Sequence, residues 1–415
     1  MTTPTSSSAR SLKRSFHQGS SSPEVQIVQA DGSPMVTKKR ESAAVQGSFV
    51  GAGGEHGVAP KTLSIDELVV SHVPSTSDPS AHLLHVQIAS HNVNSMIPLL
   101  KYLSQPRLRF KTADTATYHR QKRRKVANPS SDSSEGSNTG PLPLWNPTTH
   151  LIREYRPHVI CLQEVKATAR DTDLIRALKL VPQRQYTGLK PSEQPYGYTA
   201  SWSISHAKKG KNIGVVTYVR DDVQVLGTRE VDWDKEGRVV VTELDGVAIY
   251  NVYALNGSEF PWNDPQSGKA RGTRNERKRE FNRLLMEDVK RQRKNPRTPH
   301  IILVGDFNIS LTAVDCFPRL RTEYPHNLAR QEFTEEIIPG MQVVDVWRKM
   351  HGLEARGYSW FAVGKPHRSD AARVDYALVS EDAVDRVKNV EYLEKDQGGS
   401  DHCPLVLKYS MRSEL

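Results

Sequence analysis

The sequence predicts a protein of the α/β class, an α/β sandwich in which two mainly antiparallel sheets pack together and helices lie outside them. Short apolar runs rich in β-branched residues recur from His85 to the end of the chain. Most consecutive runs are separated by turn residues rather than by helices. Because parallel neighbours need a long crossover connection, these short turns favour antiparallel pairing.

Nine runs are predicted to be strands, since each is rich in β-branched or aromatic residues and bounded by turn residues. They are His85–Asn94, His158–Val165, Tyr198–Ile204, Asn212–Arg220, Arg238–Leu244, Val247–Leu255, His300–Asn308, Arg373–Ser380 and Pro404–Ser410. Amphipathic periodicity predicts two helices, at Arg274–Arg293 and Ala329–Ile338.

Composition divides the chain into a tail and one domain. Residues 1–82 form a Ser-rich tail, with sixteen serines in the first eighty positions and no sustained periodicity. Such a segment buries too little apolar surface to offset its ordering entropy, so we expect it to be disordered. The domain spans 83–415, and a basic insertion at about 105–145, also predicted to be disordered, interrupts it.

The formal charge of +10 comes from 57 basic and 47 acidic residues, and it is unevenly distributed. Residues 101–141 hold nine basic and three acidic side chains, so this segment carries six of the ten excess charges. A basic balance often indicates a nucleic-acid partner, but here it says little about the folded part. The run Lys122–Lys125 fits either a solvated basic loop or a nuclear import signal.

Three observations exclude other classes of protein. No apolar run approaches the roughly 18–20 residues that cross a bilayer, which excludes a membrane span. The first twenty-odd residues are polar and lack the apolar core of a secretory signal. Three cysteines, Cys161, Cys316 and Cys403, make no disulfide framework in a chain of this length. We therefore expect a soluble, intracellular protein without a membrane partner.

Acid and amide side chains follow several apolar strands at the point where each strand ends. They are Asn92, Asn94, Glu164, Asp306, Asn308, Asp375 and Asp401, the last of which precedes His402. Strands that pack side by side would gather these groups along one edge, where carboxylates repel one another unless a cation lies between them. Oxygen ligands without a cluster of Cys or His favour Mg²⁺ or Mn²⁺. A single strand-end Asp is usually a turn cap, but the whole set predicts a metal site.

The motifs around these residues carry a resemblance to a known family. In chain order they are HNVN, CLQEVK (Cys161–Lys166), EGRVVV (Glu236–Val241), YALN (Tyr253–Asn256), GDFN (Gly305–Asn308), RVDYALVS and GSDHCP (Gly399–Pro404). From about residue 85 onward, apart from the insertion, the chain resembles the endonuclease/exonuclease/phosphatase superfamily, and within it the exonuclease III-like abasic-site endonucleases. The resemblance implies a four-layered, DNase I-like sandwich of two sheets flanked by helices.

The resemblance also implies metal-dependent hydrolysis of DNA phosphodiester bonds. The expected reaction is incision 5′ to abasic sites, with 3′→5′ exonuclease or 3′-phosphodiesterase activity. Glu164 is the implied principal metal ligand, with Asn92, Asn94 and Asp401 beside it. The expected ion is Mg²⁺, for which Mn²⁺ substitutes. The bound ion would act as a Lewis acid on the phosphoryl group.

Proton transfer is implied for a second set of residues. Asp306 would orient and deprotonate the attacking water, helped by Asn308. His402 would contact the scissile phosphate, while Asp375 would accept its other ring N–H and fix its tautomer.

The remaining matched positions imply contacts with the substrate. Tyr253 and Asn256 would donate hydrogen bonds to phosphate oxygens, where negative charge develops in the transition state. Lys166 and Arg238 match positions that support the site and its phosphate contacts. Trp360 would help line the pocket that receives a base-free sugar, although an aromatic residue at this position could equally belong to the core.

Several departures from the family pattern leave the substrate open. Ser95-Met96-Ile97 replaces a common Gly-Leu-Arg stretch, Leu255 replaces a common Pro, and the loop Gly257–Arg274 is long. The balance between abasic-site incision and 3′-end cleavage is therefore undecided. An RNA-directed nuclease or phosphatase of the same fold is one alternative, and a catalytically dead DNA-binding scaffold is another. The EGRV and Tyr-x-x-Asn motifs argue against the first, and the complete set of competent site residues argues against the second.

The expected partner is double-stranded DNA with abasic sites or 3′ ends, bound by a monomer. The tail and the basic insertion favour a nuclear location. Because the first twenty residues bear Arg and lack acids, mitochondrial import stays open.

Overall fold

The computed structural model describes residues 84–96, 151–180, 196–205, 213–396 and 399–411. The predicted tail over 1–82 and the predicted insertion at about 105–145 lie outside the described residues, so both stay predictions. The contacts within the chain divide it into Met1–Pro74 and Ser75–Leu415, and every described residue belongs to the second unit. Among the described helices, none is long and apolar enough to span a membrane.

The strands of the described part include all nine predicted ones. In chain order they are β1 (His85–Asn92), β2 (Val159–Gln163), β3 (Tyr198–Ile204), β4 (Gly214–Arg220), β5 (Gly227–Glu230), β6 (Val239–Leu244), β7 (Val247–Tyr253), β8 (Pro261–Asn263), β9 (Ala270–Thr273), β10 (His300–Asp306), β11 (Cys316–Phe317), β12 (Val343–Asp345), β13 (Trp360–Phe361), β14 (Ala371–Ala372), β15 (Asp375–Ser380), β16 (Val387–Tyr392) and β17 (Leu405–Ser410).

Both predicted helices are present at the expected places. The α-helices are α1 (Thr172–Leu180), α2 (Arg274–Gln292), α3 (His326–Glu332), α4 (Ile338–Met341) and α5 (Val346–His351). Single π-helical turns cover Leu151–Tyr155 and Phe333–Ile337, and 3₁₀ turns cover Ala313–Asp315, Glu381–Arg386 and Glu394–Asp396. The second predicted helix is therefore interrupted, since a π turn joins α3 to α4.

Two six-stranded sheets form the centre of the fold. The first has the order β16-β17-β1-β2-β4-β3, and the second has the order β12-β15-β10-β7-β6-β5. In each sheet one central pair is parallel, β1 with β2 and β7 with β10, and the other pairs are antiparallel. The predicted pair of mainly antiparallel sheets is confirmed. The chain segment between β7 and β10 contains α2, which supplies the crossover that a parallel pair needs.

Alternate residues of each central strand face different layers. In β10, Ile302 and Val304 belong to the core between the sheets, whereas Ile301 and Leu303 pack with Phe281 of α2. Because both faces of such a strand are buried, it reads in the sequence as a continuous apolar run rather than as an alternating one.

The first sheet is covered on its outer face in the same way. Ile160 and Leu162 of β2 belong to a cluster with Leu174 and Leu178 of α1, and Cys161 between them faces the other sheet. Helix, sheet, sheet and helix are therefore stacked as four layers, as the resemblance implied.

A capping box fixes the start of α2. The Thr273 hydroxyl accepts a hydrogen bond from the Glu276 backbone N–H (3.1 Å), and the Glu276 carboxylate accepts one from the Thr273 backbone N–H (2.7 Å). Each of these contacts satisfies an N–H at the helix start that has no partner within the helix. The helix therefore begins at Arg274 and runs back along the second sheet.

His158, just before β2, makes the stability of the fold sensitive to acid. Its Nδ1 accepts a hydrogen bond from the Gln87 backbone N–H at 3.0 Å, which requires a neutral ring. Burial, and secondarily the Arg220 charge, lowers the pKa of His158 from 6.5 to about 4. The unfolded chain therefore binds more protons than the folded one between these two values, so stability is lost as the pH falls through this window.

We expect the free energy of unfolding to decrease by about 1 kcal/mol between pH 7 and pH 5 on account of this half-buried ring, allowing for screening by solvent. Urea unfolding at both values measures the decrease. In His158→Gln, which keeps an acceptor but does not titrate, the decrease should be smaller by that amount. An equal decrease in both proteins would show that His158 is not the responsible group.

Candidate active site

Side chains from neighbouring strands meet at one end of the sandwich. In the second sheet, Asp306 at the end of β10 lies opposite Tyr253 of β7 and Asp375 of β15. In the first sheet, Asn92 ends β1, and Glu164 directly follows β2, its parallel neighbour. The carboxyl ends of the two parallel pairs therefore supply four of these five side chains.

Hydrogen bonds join the two sheets at this end. The Asn92 Nδ2 group donates to Asp306 Oδ2 at 3.0 Å and lies 3.5 Å from Glu164 Oε1. The Tyr253 hydroxyl also donates to Glu164 Oε1, and burial and the Glu164 charge raise the pKa of Tyr253 well above 10. At neutral pH the hydroxyl is therefore a donor, and the seam between the sheets is polar.

A histidine and two aspartates form the buried part of the site. His402 Nδ1 lies 2.7 Å from Asp375 Oδ2, and His402 Nε2 lies 3.9 Å from Asp306 Oδ2. Burial alone would lower the pKa of His402, but the two carboxylates raise it to about 10. At neutral pH the ring is therefore an imidazolium that carries protons on both nitrogens, with Nε2 facing Asp306.

Asp306 is held from two sides by amide groups. The Asn308 backbone N–H donates to Oδ1 at 2.7 Å, and the Asn308 side chain donates to Oδ2 at 3.1 Å. Burial, followed by the charge of Asp375, raises the pKa of Asp306 to about 7, although His402 and these hydrogen bonds oppose the shift. Its carboxylate is thus fixed in orientation, and its pKa lies close to neutral pH.

Four further predicted residues lie at the more exposed side of the site. Asn94 Nδ2 donates to Asp401 Oδ1 at 3.2 Å, and Trp360 Nε1 donates to Asp401 Oδ2 at 3.0 Å. The Lys166 ammonium donates to Asn94 Oδ1 and lies 3.4 Å from Glu164 Oε2. Lys166 thus connects Glu164 with Asn94, Asn94 contacts Asp401, and Trp360 contacts the other oxygen of Asp401.

Four site residues adopt the left-handed backbone conformation that non-glycine residues rarely occupy. They are Asn94, Glu164, Lys166 and Asn308, with φ of 56°, 53°, 55° and 52°. Each follows a strand end, so the left-handed turn redirects the chain and aims neighbouring side chains into the site. A conformation of this kind costs on the order of 1 kcal/mol or more, and the surrounding contacts must compensate for it.

Arg238 and Asn256 lie differently from the other predicted residues. Arg238 is 2% exposed, pairs with Glu236 at 3.1 Å, donates to the Tyr253 carbonyl at 3.2 Å and stacks over the Tyr253 ring. Its guanidinium therefore packs against the Tyr253 ring instead of facing the surface. Asn256 is exposed, and its carbonyl accepts a hydrogen bond from Arg274.

Two buried serines hold the site but were not predicted. The Ser359 hydroxyl accepts hydrogen bonds from the backbone N–H groups of Val374 and Asp375, both at 3.0 Å. Ser400 donates to the Asn92 carbonyl at 2.6 Å and accepts from the His402 N–H at 3.1 Å. Contacts of this kind leave no signal in the sequence, since serine is common throughout the chain.

The oxygen atoms at the rim fit a hard divalent cation. Glu164 is half-buried, and its Oε2 lies near the Lys166 ammonium, while Asn94 and Asp401 contribute further amide and carboxylate oxygens nearby. Asn92 presents its amide nitrogen to Glu164, and its Oδ1 accepts a hydrogen bond from the Asn94 backbone N–H at 3.0 Å. Such a donor set suits Mg²⁺ or Mn²⁺. Among the described residues, Asp306, Asp375 and His402 form a second group, with ligand atoms within 4.8 Å of one another.

The sequence profile of the Endonuclease/Exonuclease/phosphatase family matches residues 146–402, which is more than half of the chain. The chain belongs to this family. Nucleases of the family depend on a divalent metal ion, in agreement with the oxygen-rich site.

The names of curated relatives of this chain describe enzymes that act on DNA. A DNA-(apurinic or apyrimidinic site) endonuclease of Arabidopsis thaliana is 25% identical over 314 residues, which cover 65% of this chain and 81% of the relative. An exodeoxyribonuclease of Bacillus subtilis (strain 168) is 26% identical over 262 residues, covering 62% of this chain and 89% of the relative. The predicted exonuclease III-like relationship within the family is confirmed.

Solved structures of family members share the fold. A 3′ phosphatase from Neisseria bound to a product DNA hairpin has a TM-score of 0.52 at 20% identity, covering 78% of this chain and 99% of that one. An AP endonuclease from Leishmania major has a TM-score of 0.53 at 20% identity, covering 84% and 96%. The four-layered sandwich predicted from the sequence is confirmed.

Gly305 allows β10 to deliver Asp306 to the site. Its φ is +140°, and a Cβ atom there would collide with the carbonyl oxygen of Val252 on the neighbouring strand. We expect Gly305→Ala to lower the free energy of unfolding by about 3 kcal/mol or more, because both the backbone conformation and the strand spacing must change.

Chemical denaturation measures this loss, with Gly227→Ala as the matched control. A Cβ at Gly227 on β5 would meet its nearest atom, Glu243 Oε2, at an ordinary 3.8 Å. The control should stay within about 1 kcal/mol of the parent. A Gly305→Ala protein as stable as the control would show that the strands relax without cost.

Proposed function

We propose that this chain is a metal-dependent DNA-repair nuclease that hydrolyses phosphodiester bonds 5′ to abasic sites, with 3′→5′ exonuclease or 3′-phosphodiesterase activity. The observation that carries the proposal is the buried arrangement in which Asp306 and His402 face each other at 3.9 Å, with Asp375 behind the histidine. A candidate acid–base group and a fixed cation are therefore adjacent, as hydrolysis of a phosphodiester by an activated water requires. The names of the AP endonuclease and exodeoxyribonuclease relatives support DNA as the substrate.

Asp306 is the proposed general base for the attacking water. Its pKa of about 7 suits proton abstraction near neutral pH, because a base works best when its pKa is close to the working pH. The two hydrogen bonds from Asn308 and the one from Asn92 hold the carboxylate in a single orientation. A water molecule bound to Asp306 would therefore have a fixed orientation, with the Asp306 carboxylate as the acceptor of its proton.

His402 and Tyr253 are the proposed donors to the phosphate. The imidazolium of His402 is held by Asp375, so its Nε2–H points at a constant position. Tyr253 keeps its proton at neutral pH and packs against Arg238, and its O–H would turn from Glu164 to the phosphate when the substrate binds. Asn256, whose side chain is exposed at the same loop, completes the set. Fixed donors of this kind stabilise the charge that develops on the phosphoryl oxygens.

Glu164 is the proposed principal metal ligand, with Asn92, Asn94 and Asp401 beside it. Mg²⁺, for which Mn²⁺ substitutes, supplies a Lewis acid that polarises the phosphoryl group and stabilises the leaving 3′ oxygen when bound. Lys166 faces Glu164 and Asn94 and would contact a DNA phosphate once Glu164 turns to the ion. A second ion would fall to the Asp306, Asp375 and His402 group, so both one-ion and two-ion schemes use residues of this site.

Trp360 is the proposed wall of a pocket for a base-free sugar. Its indole N–H is fixed on Asp401, and its strand β13 pairs with β14 and bridges to His402. The half-buried ring therefore lies beside the catalytic histidine, where a sugar without a base could pack against it.

A gel assay on two labelled duplexes tests the activity. One duplex carries a single abasic-site analogue and the other is intact, and each is incubated with Mg²⁺, with EDTA, and with an Asp306→Asn variant. We expect a discrete nick 5′ to the lesion that EDTA abolishes and that Asp306→Asn lowers by about 10³-fold or more, since the general base is lost.

The other outcomes of this assay distinguish the alternatives. Ladders from the 3′ ends of both duplexes without the nick would make the protein chiefly an exonuclease. Cleavage of neither duplex would contradict the proposed function and direct the search to RNA and phosphomonoester substrates.

Metal binding can be measured without catalysis. We expect Glu164→Gln to weaken Mn²⁺ binding by about 10- to 100-fold in calorimetric titration, because a charged oxygen ligand is replaced by a neutral amide. Glu276→Gln, at the exposed start of α2, is the control and should bind as the parent does. Equal affinity in all three proteins would place the metal elsewhere.

We also propose a monomer that acts in the nucleus, with mitochondrial import left open. The basis is the sequence alone, since Lys122–Lys125 lies outside the described residues. Light scattering of the purified chain measures its mass in solution. Microscopy of a fluorescent fusion, with and without the four basic residues changed to Ala, measures their part in nuclear import.

A further inference from the structure

A lysine ammonium is buried directly behind the active site. Lys278, in the second turn of α2, is 2% exposed. Its Nζ donates to the carbonyl oxygens of Leu255 at 2.7 Å, Phe307 at 2.9 Å and Asn308 at 3.1 Å. An ammonium group has three N–H donors, so each donor has a carbonyl partner.

The three carbonyls belong to the two segments that carry the chemistry. Leu255 lies between Tyr253 and Asn256, while Phe307 and Asn308 directly follow Asp306. The parallel ladder of β7 and β10 stops at the pair Tyr253 and Asp306. Beyond this pair the segments are joined by the Ala254 N–H to the Asp306 carbonyl (2.8 Å) and by Asn308 Nδ2 to the Ala254 carbonyl (3.0 Å). Lys278 extends this connection by three contacts.

The backbone of Leu255 has no covalent restraint of its own. Leucine leaves φ free to vary, whereas a proline ring would fix it. The carbonyl of Leu255 is instead held by the ammonium of Lys278. The position of the Tyr253–Asn256 segment therefore depends on a contact from α2.

Packing alone does not explain a lysine at this position. Within the described residues, Lys278 has no carboxylate within 4 Å, and burial lowers its pKa from 10.5 to about 7. Burying a charge without a counter-ion is costly, and an apolar side chain of similar volume is often tolerated equally well or better. What an apolar side chain lacks is the ability to hold three carbonyl dipoles in one place.

We propose that Lys278 is a positioning residue that fixes Asp306 and Asn308 relative to Tyr253 and Asn256 by holding three backbone carbonyls. It touches no substrate, and it acts through the backbone of the residues that do. Because the inference rests on the proposed function, its test includes a measurement that needs no substrate.

The test compares full-length Lys278→Met with the parent and with Lys290→Met, an exposed lysine on the same helix. We expect the unfolding midpoint of Lys278→Met to stay within about 5 °C of the parent's, because the loss of the buried charge offsets the loss of the partner of three carbonyls. On the abasic-site duplex, kcat should fall by roughly 30- to 100-fold while KM changes by less than about 3-fold, because small displacements of aligned groups act on the chemical step. Lys290→Met should match the parent in both constants.

Amide hydrogen exchange is the measurement that is independent of substrate. In Lys278→Met, peptides covering Tyr253–Asn256 and Asp306–Asn308 should exchange faster, while peptides from β1 and β17 should not change. Lys278→Arg keeps a cation but replaces the ammonium with a planar group, and it should give intermediate values. If Lys278→Met fails to fold, Lys278→Arg is compared with the parent instead.

Two results would overturn the proposal. One is an unchanged kcat with unchanged exchange, which would make the three contacts dispensable. The other is a fall in activity that follows a fall in the unfolding midpoint, which would make Lys278 a purely structural residue. If the parent protein cleaves no DNA, the proposed function fails, and the exchange experiment alone decides whether Lys278 holds the two segments.

Discussion

The hydrogen bond from Asn92 to Asp306 joins the two sheets at an end of the sandwich where carboxylates from both of them converge. Glu164, Asp306 and Asp375 bring three carboxylates into the partly buried junction between the sheets. Carboxylates in such a place need positive charges or hydrogen-bond donors beside them. The imidazolium of His402 offsets one of the two aspartate charges, and Lys166 pairs with Glu164. The remaining architecture, from the left-handed turns to the buried serines, serves to keep these groups close in spite of their mutual repulsion.

The sequence predicts the central strands well and the peripheral ones poorly, for a physical reason. Strands such as β10 are buried on both faces and read as continuous apolar runs that only a core strand explains. In contrast, β5 has the sequence GTRE and alternates between exposed and half-buried residues, so nothing in its composition distinguishes it from a loop. Likewise, β16 lies at a sheet edge with much of its surface in solvent, and its polar residues hide it.

The same division holds for the site. Side chains that follow an apolar run, such as Asp306 and Glu164, are visible because acids interrupt an otherwise hydrophobic pattern. The EGRV motif identifies Arg238 as a site residue. Its burial against Tyr253 depends on the neighbouring strand β7, which the motif does not describe. Lys278 stands in the charged stretch RNERKRE and reads as part of a solvated helix face. Only the packing of α2 against the ends of β7 and β10 shows that this charge, like that of Arg277 beside it, is buried.

The parallel pair at the centre of each sheet has a consequence for how the protein can diversify. Each pair sends two strands out at the same end, so the chemistry occupies four adjacent exits, while the ribbon formed by β8 and β9 leaves from a segment beyond them. The candidate site and the β8–β9 ribbon thus belong to separate parts of the fold. A chain of this architecture can exchange the peripheral segment for another without altering the strand ends that hold the site.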